Sequence, residues 1–261
     1  MDAESAESIP MTRLETTQIH SEDDARHFFD AAALDYRDQH GDPDRLLQDR
    51  LSLIRSLIGE REGRTLLEIG CGTGMHLFAL ATEFARVIGI DFSPRMIEQA
   101  QAIRAGYRNA QNIALAVDRA EQLATVDDHT IDVVLCVGAF EHMIGKIAVL
   151  TQIRRVLKTE GLFVCLTPNG SYLWYRIAAF FGLDTRHLST DHFVTLPWIG
   201  NALPAVGLDL LDSGYWTFVP KGDIGTLLFV LLAVIDWVGR TLGLPSCRGG
   251  VYFKAGRRGS G

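Results

Sequence analysis

Residues suited to chemistry gather at three places in the 261-residue chain. The first is Glu68-Ile69-Gly70-Cys71-Gly72-Thr73-Gly74, a glycine-dense turn whose missing Cβ atoms let backbone approach a ligand closely. Its spacing is G-x-G-x-G. Dinucleotide sites use G-x-G-x-x-G, with a helix N-terminus facing a pyrophosphate. Glu68 beside the turn would repel a pyrophosphate and suits a cationic amino-acid group. The second place is Asp91, 21 residues after Gly70 and directly after the run Val87-Ile88-Gly89-Ile90. An acid there accepts hydrogen bonds from ribose hydroxyls. The third comprises Glu141-His142 and, further on, His187 and His192. Imidazoles take up protons near neutral pH, which is the property a general base needs.

These groups need elements to hold them. After Gly63, short apolar runs alternate with helical segments. Strands are predicted at Thr65–Ile69, Arg86–Ile90, Ile113–Val117, Ile131–Val137 and Leu162–Thr167, with helices at Met75–Glu83, Pro94–Arg104 (capped by Ser93) and Lys146–Leu157. Repeated βα units with nearly continuous apolar strands predict an α/β fold: a doubly wound, mostly parallel sheet covered on both faces. Ahead of it stands a helical cap. Ser21 and Asp24 mark one helix start, with Phe28, Phe29, Ala32 and Tyr36 on one face; Asp42-Pro43 marks the next, with Leu46, Leu47, Leu51, Ile54 and Ile58 as its stripe. Beyond Thr167 come an aromatic segment (Tyr172–Phe181), a helix near Pro197–Val206 and a strand near Leu208–Tyr215. A very apolar helix at Ile224–Leu242 precedes a last strand at Val251–Ala255. The expected organisation is a mobile acidic tail (1–20), a helical cap (21–62), a ligand-binding core (63–215), an apolar helical insertion (216–249), and the last strand with a basic tail (250–261).

The length fits one large domain. The chain holds 25 Lys and Arg against 32 Asp and Glu, for a net charge of −7, which argues against a nucleic-acid surface. Seven acids and one base fall within residues 1–24, so the rest of the chain is nearly neutral. Residues 240–261 carry five basic residues and no acid. Cys71, Cys136, Cys165 and Cys247 stand far apart, which argues against a disulfide framework or zinc site and points to a reducing, cytoplasmic setting. The acidic N-terminus lacks the apolar region of a signal peptide.

With its leading acid, the glycine turn resembles the first motif of the class I S-adenosylmethionine-dependent methyltransferases, E/D-x-G-x-G-x-G. Val87-Ile88-Gly89-Ile90-Asp91-Phe92-Ser93-Pro94-Arg95-Met96 is similar to that family's second-strand motif, and Leu135-Cys136-Val137-Gly138-Ala139-Phe140-Glu141-His142-Met143 to its fourth. The resemblance implies S-adenosylmethionine as cofactor. It places Gly70, Cys71 and Gly72 beside the methionyl part, Glu68 orienting that end, and Asp91 on both ribose hydroxyls. Phe92 and Met96 then lie near the adenine, with core packing the other reading of Met96, and Val137 at the end of the fourth strand borders the cofactor. The third motif departs from the family: Arg119, where aspartate is usual, precedes Ala120, and Asp118 stands one place earlier. Either Asp118 or a backbone group meets the adenine amine. Tyr36 resembles a tyrosine by which an N-terminal helix closes over the cofactor; otherwise it is a core aromatic of the Phe28–Ala32–Tyr36 face.

Methyl transfer from a sulfonium is an in-line displacement that depends on positioning; a hydroxyl acceptor also needs a base. Glu141, His142 and His192 are the catalytic candidates. Glu141-His142 resembles a pair in quinone-type O-methyltransferases, where an acid three places earlier completes a metal site. Here that place is Gly138, so no metal is expected. His192 resembles the histidine opening an H-x-x-x-T segment beside the acceptor pocket. The apolar helix at 224–242 is apolar on all sides, yet short for a bilayer. Asp236 and Arg240, four residues apart, suggest a wet end. A lid, a homodimer contact and a membrane-surface contact all remain open for it, and each implies a small hydrophobic acceptor such as a lipid, quinone, polyketide or terpenoid. O-methylation of it is the leading reading; C- or N-methylation, a nicotinamide-dependent oxidoreductase and a non-catalytic cofactor-binding protein are the alternatives.

Overall fold

The computed structural model describes residues 17–33, 43–60, 62–107, 110–180, 186, 188–217 and 226–258. Tyr36, His187, the Asp42 cap position and most of the acidic tail lie outside them.

Seven strands form one sheet in the order β3-β2-β1-β4-β5-β7-β6. They are β1 (Thr65–Ile69), β2 (Arg86–Asp91), β3 (Ile113–Val117), β4 (Ile131–Val137), β5 (Leu157–Pro168), β6 (Leu208–Trp216) and β7 (Gly250–Arg257). Pairing is parallel from β3 through β5; β7 runs antiparallel to both β5 and β6. The helices are α1 (Glu22–Ala32), α2 (Pro43–Ile58), α3 (Met75–Leu80), α4 (Pro94–Ala105), α5 (Lys146–Val156), α6 (Leu173–Phe180), α7 (Leu196–Ala205) and α8 (Thr226–Leu242).

Successive strand residues point to opposite faces, and both faces here are buried. Leu66, Val133 and Val164 join Leu51 and Ile54 of α2 and Leu77 of α3 in one core layer. Their neighbours Leu67, Val134 and Phe163 join Val149 and Ile153 of α5 and Ile199 of α7 in the other. This two-sided burial is why the strands read as continuous apolar runs.

Two boundaries differ from those predicted by three residues or more. β5 begins at Leu157, which pairs with Ile131 ahead of a register shift. The intervening Lys158, Thr159 and Glu160 are exposed, and Lys158 Nζ meets Asp132 Oδ2 at 2.7 Å, so polar residues sit within a strand at the sheet's wet rim. α3 stops at Leu80 because Asn112 Nδ2 donates to the carbonyls of Ala81 and Phe84 and tight turns replace the last helical bonds.

The end of α8 is exposed at Arg240, Thr241 and Leu242 as expected, but the acid four residues before Arg240 has another partner. Asp236 is buried and pairs with Arg248, not Arg240, at 3.1 Å, and accepts from Thr217 Oγ1 at 2.9 Å. The helix packs on the turn Pro245–Cys247, as does α6. Among the described residues, no helix is long and apolar enough to cross a membrane.

Candidate functional site

The parallel strands all end on one side of the sheet, and there the chain folds over a cavity of about 320 Å³. Crevices at the carboxyl ends of such strands are where ligands bind in open α/β sheets. The glycine turn after β1 forms one wall. Gly70 has φ +67°, and a Cβ there would lie 2.5 Å from the Ala139 Cβ, so only glycine lets the β1 and β4 loops approach this closely. The turn is tied to β2 by Cys71 N–H donating to Ile90 O at 2.9 Å.

Asp91 stands at the end of β2 on the cavity wall. One oxygen accepts from Gly72 N–H and the other from Ser93 N–H, both at 2.9 Å. Burial pushes its pKa up to about 6 in spite of these two donors. The carboxylate is therefore short of donors for its charge, and hydroxyls placed against it would relieve that shortage. Ser93 caps α4 by accepting from Met96 N–H at 3.1 Å, and its hydroxyl donates to Asp30 of α1, locking the N-terminal helix onto the site.

Asp118 follows β3. Burial works against its charge, but Arg119 N–H (2.7 Å), Thr125 N–H (2.7 Å) and Thr125 Oγ1 (2.6 Å) donate to it and hold its pKa below the usual range. It lines the cavity with Arg119 and Ala120 while shaping the loop that carries them.

At the other end, His142 lines the same cavity. Its Nδ1 lies 2.6 Å from Asp191 Oδ1; the other Asp191 oxygen accepts from Leu188 N–H at 3.0 Å. Burial opposes a charged imidazole, but the Asp191 hydrogen bond and the charges of Asp191 and Glu141 outweigh it and raise the His142 pKa. With Nδ1–H donated to the carboxylate, Nε2 is the basic nitrogen. The strap bearing Asp191 is held by Ile19 N–H on Ser189 Oγ and by Ser189 N–H on Thr17 O, both at 2.9 Å. Phe29 of α1 spans the two ends, its ring edge-on to Phe92 at 5.6 Å and to His142 at 5.2 Å between centroids.

The cavity thus brings together Gly70, Gly72, Asp91, Phe92, Met96, Asp118, Arg119, Ala120 and His142. Other predicted residues lie behind or beside it. Cys71 and Val137 are buried in the layer beneath the turn and in the core. Glu68 is buried with Oε1 3.3 Å from His76 Nδ1, while its Oε2 accepts no hydrogen bond. Glu141 is also buried, with Oε2 accepting from Thr167 Oγ1 at 3.0 Å and burial raising its pKa. His192 is exposed and lines a second depression of about 440 Å³ between α5 and α7; its backbone N–H donates to Glu141 O.

Asp191 and Phe29 were not anticipated. Asp191 had a signal, an acid beside a histidine in His187-Leu188-Ser189-Thr190-Asp191-His192, but a pairing across 49 residues is not periodic. The metal expected in quinone-type relatives does not fit here. Gly138 offers no donor, Glu141 is engaged by Thr167 and His142 Nδ1 by Asp191. An S-adenosyl cofactor does fit: the wall holds the glycine turn and an under-donated carboxylate, and behind them the buried Glu68 Oε2 accepts no hydrogen bond.

A family model described as a methyltransferase domain matches residues 60–190. A ubiquinone biosynthesis O-methyltransferase of Cereibacter sphaeroides is 39% identical over 112 residues, 41% of this chain and 42% of that protein; the chain thus spans about two fifths of that relative's length. Among solved structures, geranyl diphosphate C-methyltransferase from Streptomyces coelicolor, in complex with Mg2+, geranyl diphosphate and S-adenosyl-L-homocysteine, superposes with TM-score 0.64 at 14% identity, covering 85% of this chain and 84% of that one. The 4+2 cyclase SpnF superposes with TM-score 0.66 at 16% identity, covering 94% and 99%. At these identities the structures speak for the fold alone.

Proposed function

Because this chain belongs to the class I S-adenosylmethionine-dependent methyltransferases, with a methyltransferase domain over residues 60–190, we propose that it transfers a methyl group to a hydroxyl oxygen of a small hydrophobic, quinone-type acceptor. The observation that carries this reading is one cavity with the Asp91 carboxylate at one end and the His142–Asp191 pair at the other. The O-methyltransferase relative supports oxygen as the acceptor atom.

When bound, S-adenosylmethionine supplies an electrophilic methyl on a sulfonium. Asp91 receives the ribose hydroxyls, the glycine turn lets backbone close on the methionyl part, and buried Glu68 provides negative charge for its cationic end. Phe92 and Met96 give the adenine an apolar bed, and Asp118 holds the Arg119–Ala120 loop against it. His142 Nε2 would take the acceptor proton as the O–H bond breaks, the O–CH3 bond forming as the sulfonium S–CH3 bond breaks and S-adenosylhomocysteine is left as the neutral thioether. Asp191 keeps the imidazole in the required tautomer and stabilises its protonated form. Phe29 and α1 cover the cavity and exclude water.

The cofactor half is tested by calorimetry with S-adenosylhomocysteine. Asp91→Ala should weaken binding by about 1–3 kcal/mol, the cost of leaving buried hydroxyls without an acceptor. In the native protein, donation by ribose hydroxyls favours the charged carboxylate, so affinity should hold above about pH 6 and fall below it. Unchanged affinity in the variant would contradict the assignment.

The outer face of α8 supports a peripheral membrane contact over a lid. Among the described residues, none of α8 lines either cavity. Val230, Leu231, Val234 and Trp237 lie between 50% and 56% exposed on one side, while Leu232 and Asp236 face inward. α6 adds exposed Leu173, Ile177 and Phe180, and Arg176 and Arg240 are exposed cations on these helices. Apolar rows with Trp and Arg at their edges match helices lying in a lipid interface. Both helices stand at the sheet end that carries the site, since Pro168, Gly250 and Trp216 are adjacent in register.

A further inference from the structure

His76, the second residue of α3, takes no part in the steps above and is only 7% exposed. The residues after it, Leu77, Phe78 and Leu80, are buried and apolar. The helix lies close on the sheet because Gly89 of β2, the register partner of Glu68, carries no side chain. A Cβ there would lie 2.7 Å from Leu77 Cδ2 and 2.9 Å from Cys71 Sγ. A histidine buried in such a layer needs polar partners. Glu68 is the side chain that meets it, with Oε1 3.3 Å from His76 Nδ1. Its other nitrogen, Nε2, is also buried and has no hydrogen-bond partner among the described residues.

The chemistry of this contact has a direction. A carboxylate oxygen accepts, so Nδ1 carries the proton. Oε1 is thereby engaged, while the buried Oε2 accepts nothing. Burial first, and the Glu68 charge with it, raise the pKa of both Cys71 and Asp91; these neighbours are acids, and neither offsets that charge. A buried carboxylate is costly unless it is paired, and His76 is the group that faces it. An apolar residue at position 76 would pack in the same layer without an unpaired ring nitrogen. A polar side chain that breaks the local pattern in this way marks a functional position.

We propose that His76 is a positioning residue for the amino-acid end of the cofactor: its Nδ1–H holds Glu68 by one oxygen and leaves Oε2 as the acceptor for a cationic amino group. This rests on the cofactor reading above and adds a residue to it. His76 acts through Glu68, and its effect is confined to ligands that carry the amino-acid end.

The test compares two probes by calorimetry: S-adenosylhomocysteine, and methylthioadenosine, which keeps the nucleoside and thioether but lacks the amino-acid end. The native protein should prefer S-adenosylhomocysteine. His76→Leu should cut that preference by about tenfold or more, with methylthioadenosine affinity unchanged. His76→Asn, whose amide N–H can stand in for Nδ1–H, should keep most of it. Glu68→Gln should lose the preference, and adding His76→Leu to it should lose no more, since residues acting as one unit are not additive. An unchanged preference in His76→Leu, equal weakening of both probes, or losses that add to those of Glu68→Gln would overturn the assignment. Should His76→Leu not fold, the imidazole nitrogen resonances of the native protein decide. Those of His76, identified by their loss in His76→Asn, should move with S-adenosylhomocysteine and not with methylthioadenosine; the same response to both overturns the assignment. Asp91→Ala, by contrast, should weaken both probes alike, and a native protein that binds neither sinks the cofactor reading itself.

Discussion

At the scale of single residues, the proposed reaction rests on the contact between His142 and Asp191. The raised His142 pKa, above the ordinary 6.5, means that the imidazole is protonated at low pH and cannot accept the acceptor's proton. Turnover should rise with pH through a value above 6.5. Asp191→Asn removes the charge that raises the pKa, so the rising limb should move to lower pH, while the plateau loses part of the roughly 10²–10⁴-fold that general-base help supplies. The same pair stabilises the fold most below the unfolded histidine pKa and loses that contribution as pH rises through the folded one. The variant should therefore melt further below the native protein near pH 6 than near pH 9. A plateau change without movement of the limb would reduce Asp191 to a structural contact. Asp91, the glycines and His142 were readable because strand ends and tight turns dictate residue types locally. Asp191 was not, because its partner lies 49 residues away and is brought near by a strap pinned to Thr17 and Ile19.

At the scale of elements, the helices and strands positioned by apolar period appear within a few residues of where the pattern predicts them. The exceptions, α3 and β5, follow from side chains acting at a distance: Asn112 taking carbonyls from α3, and a polar strand start at an exposed rim. α8 makes the same point about pairing. Spacing along the helix suggested Asp236 with Arg240, but Arg248, beyond the helix, reaches the buried carboxylate. That leaves the opposite side of a 17-residue helix, about 26 Å long, uncovered. Val234→Glu with Trp237→Glu should leave melting little changed, since both side chains are exposed, and should abolish sedimentation with anionic liposomes. Native protein that stays in the supernatant, or that instead elutes as a dimer which the same substitutions dissociate, would assign this face to a second copy.

At the scale of the whole molecule, the −7 charge does not describe the body that holds the site. Most of it belongs to residues 1–24, whereas α6 and α8 beside the site expose apolar rows with Arg176 and Arg240 among them. The sheet, the cofactor crevice and the family were legible because repeated βα units and the glycine turn are local patterns. The acceptor side was less so, since a strap and a capping helix meet there from remote parts of the chain. The most direct test supplies the native protein with S-adenosylmethionine labelled at its methyl carbon and with a hydrophobic catechol, and follows the label by NMR and mass spectrometry. Label in an aryl methyl ether, formed about 10²–10⁴ times more slowly by His142→Ala, is the expected result. Label bound to carbon or nitrogen, no transfer, or ether formation at the native rate by His142→Ala would contradict it.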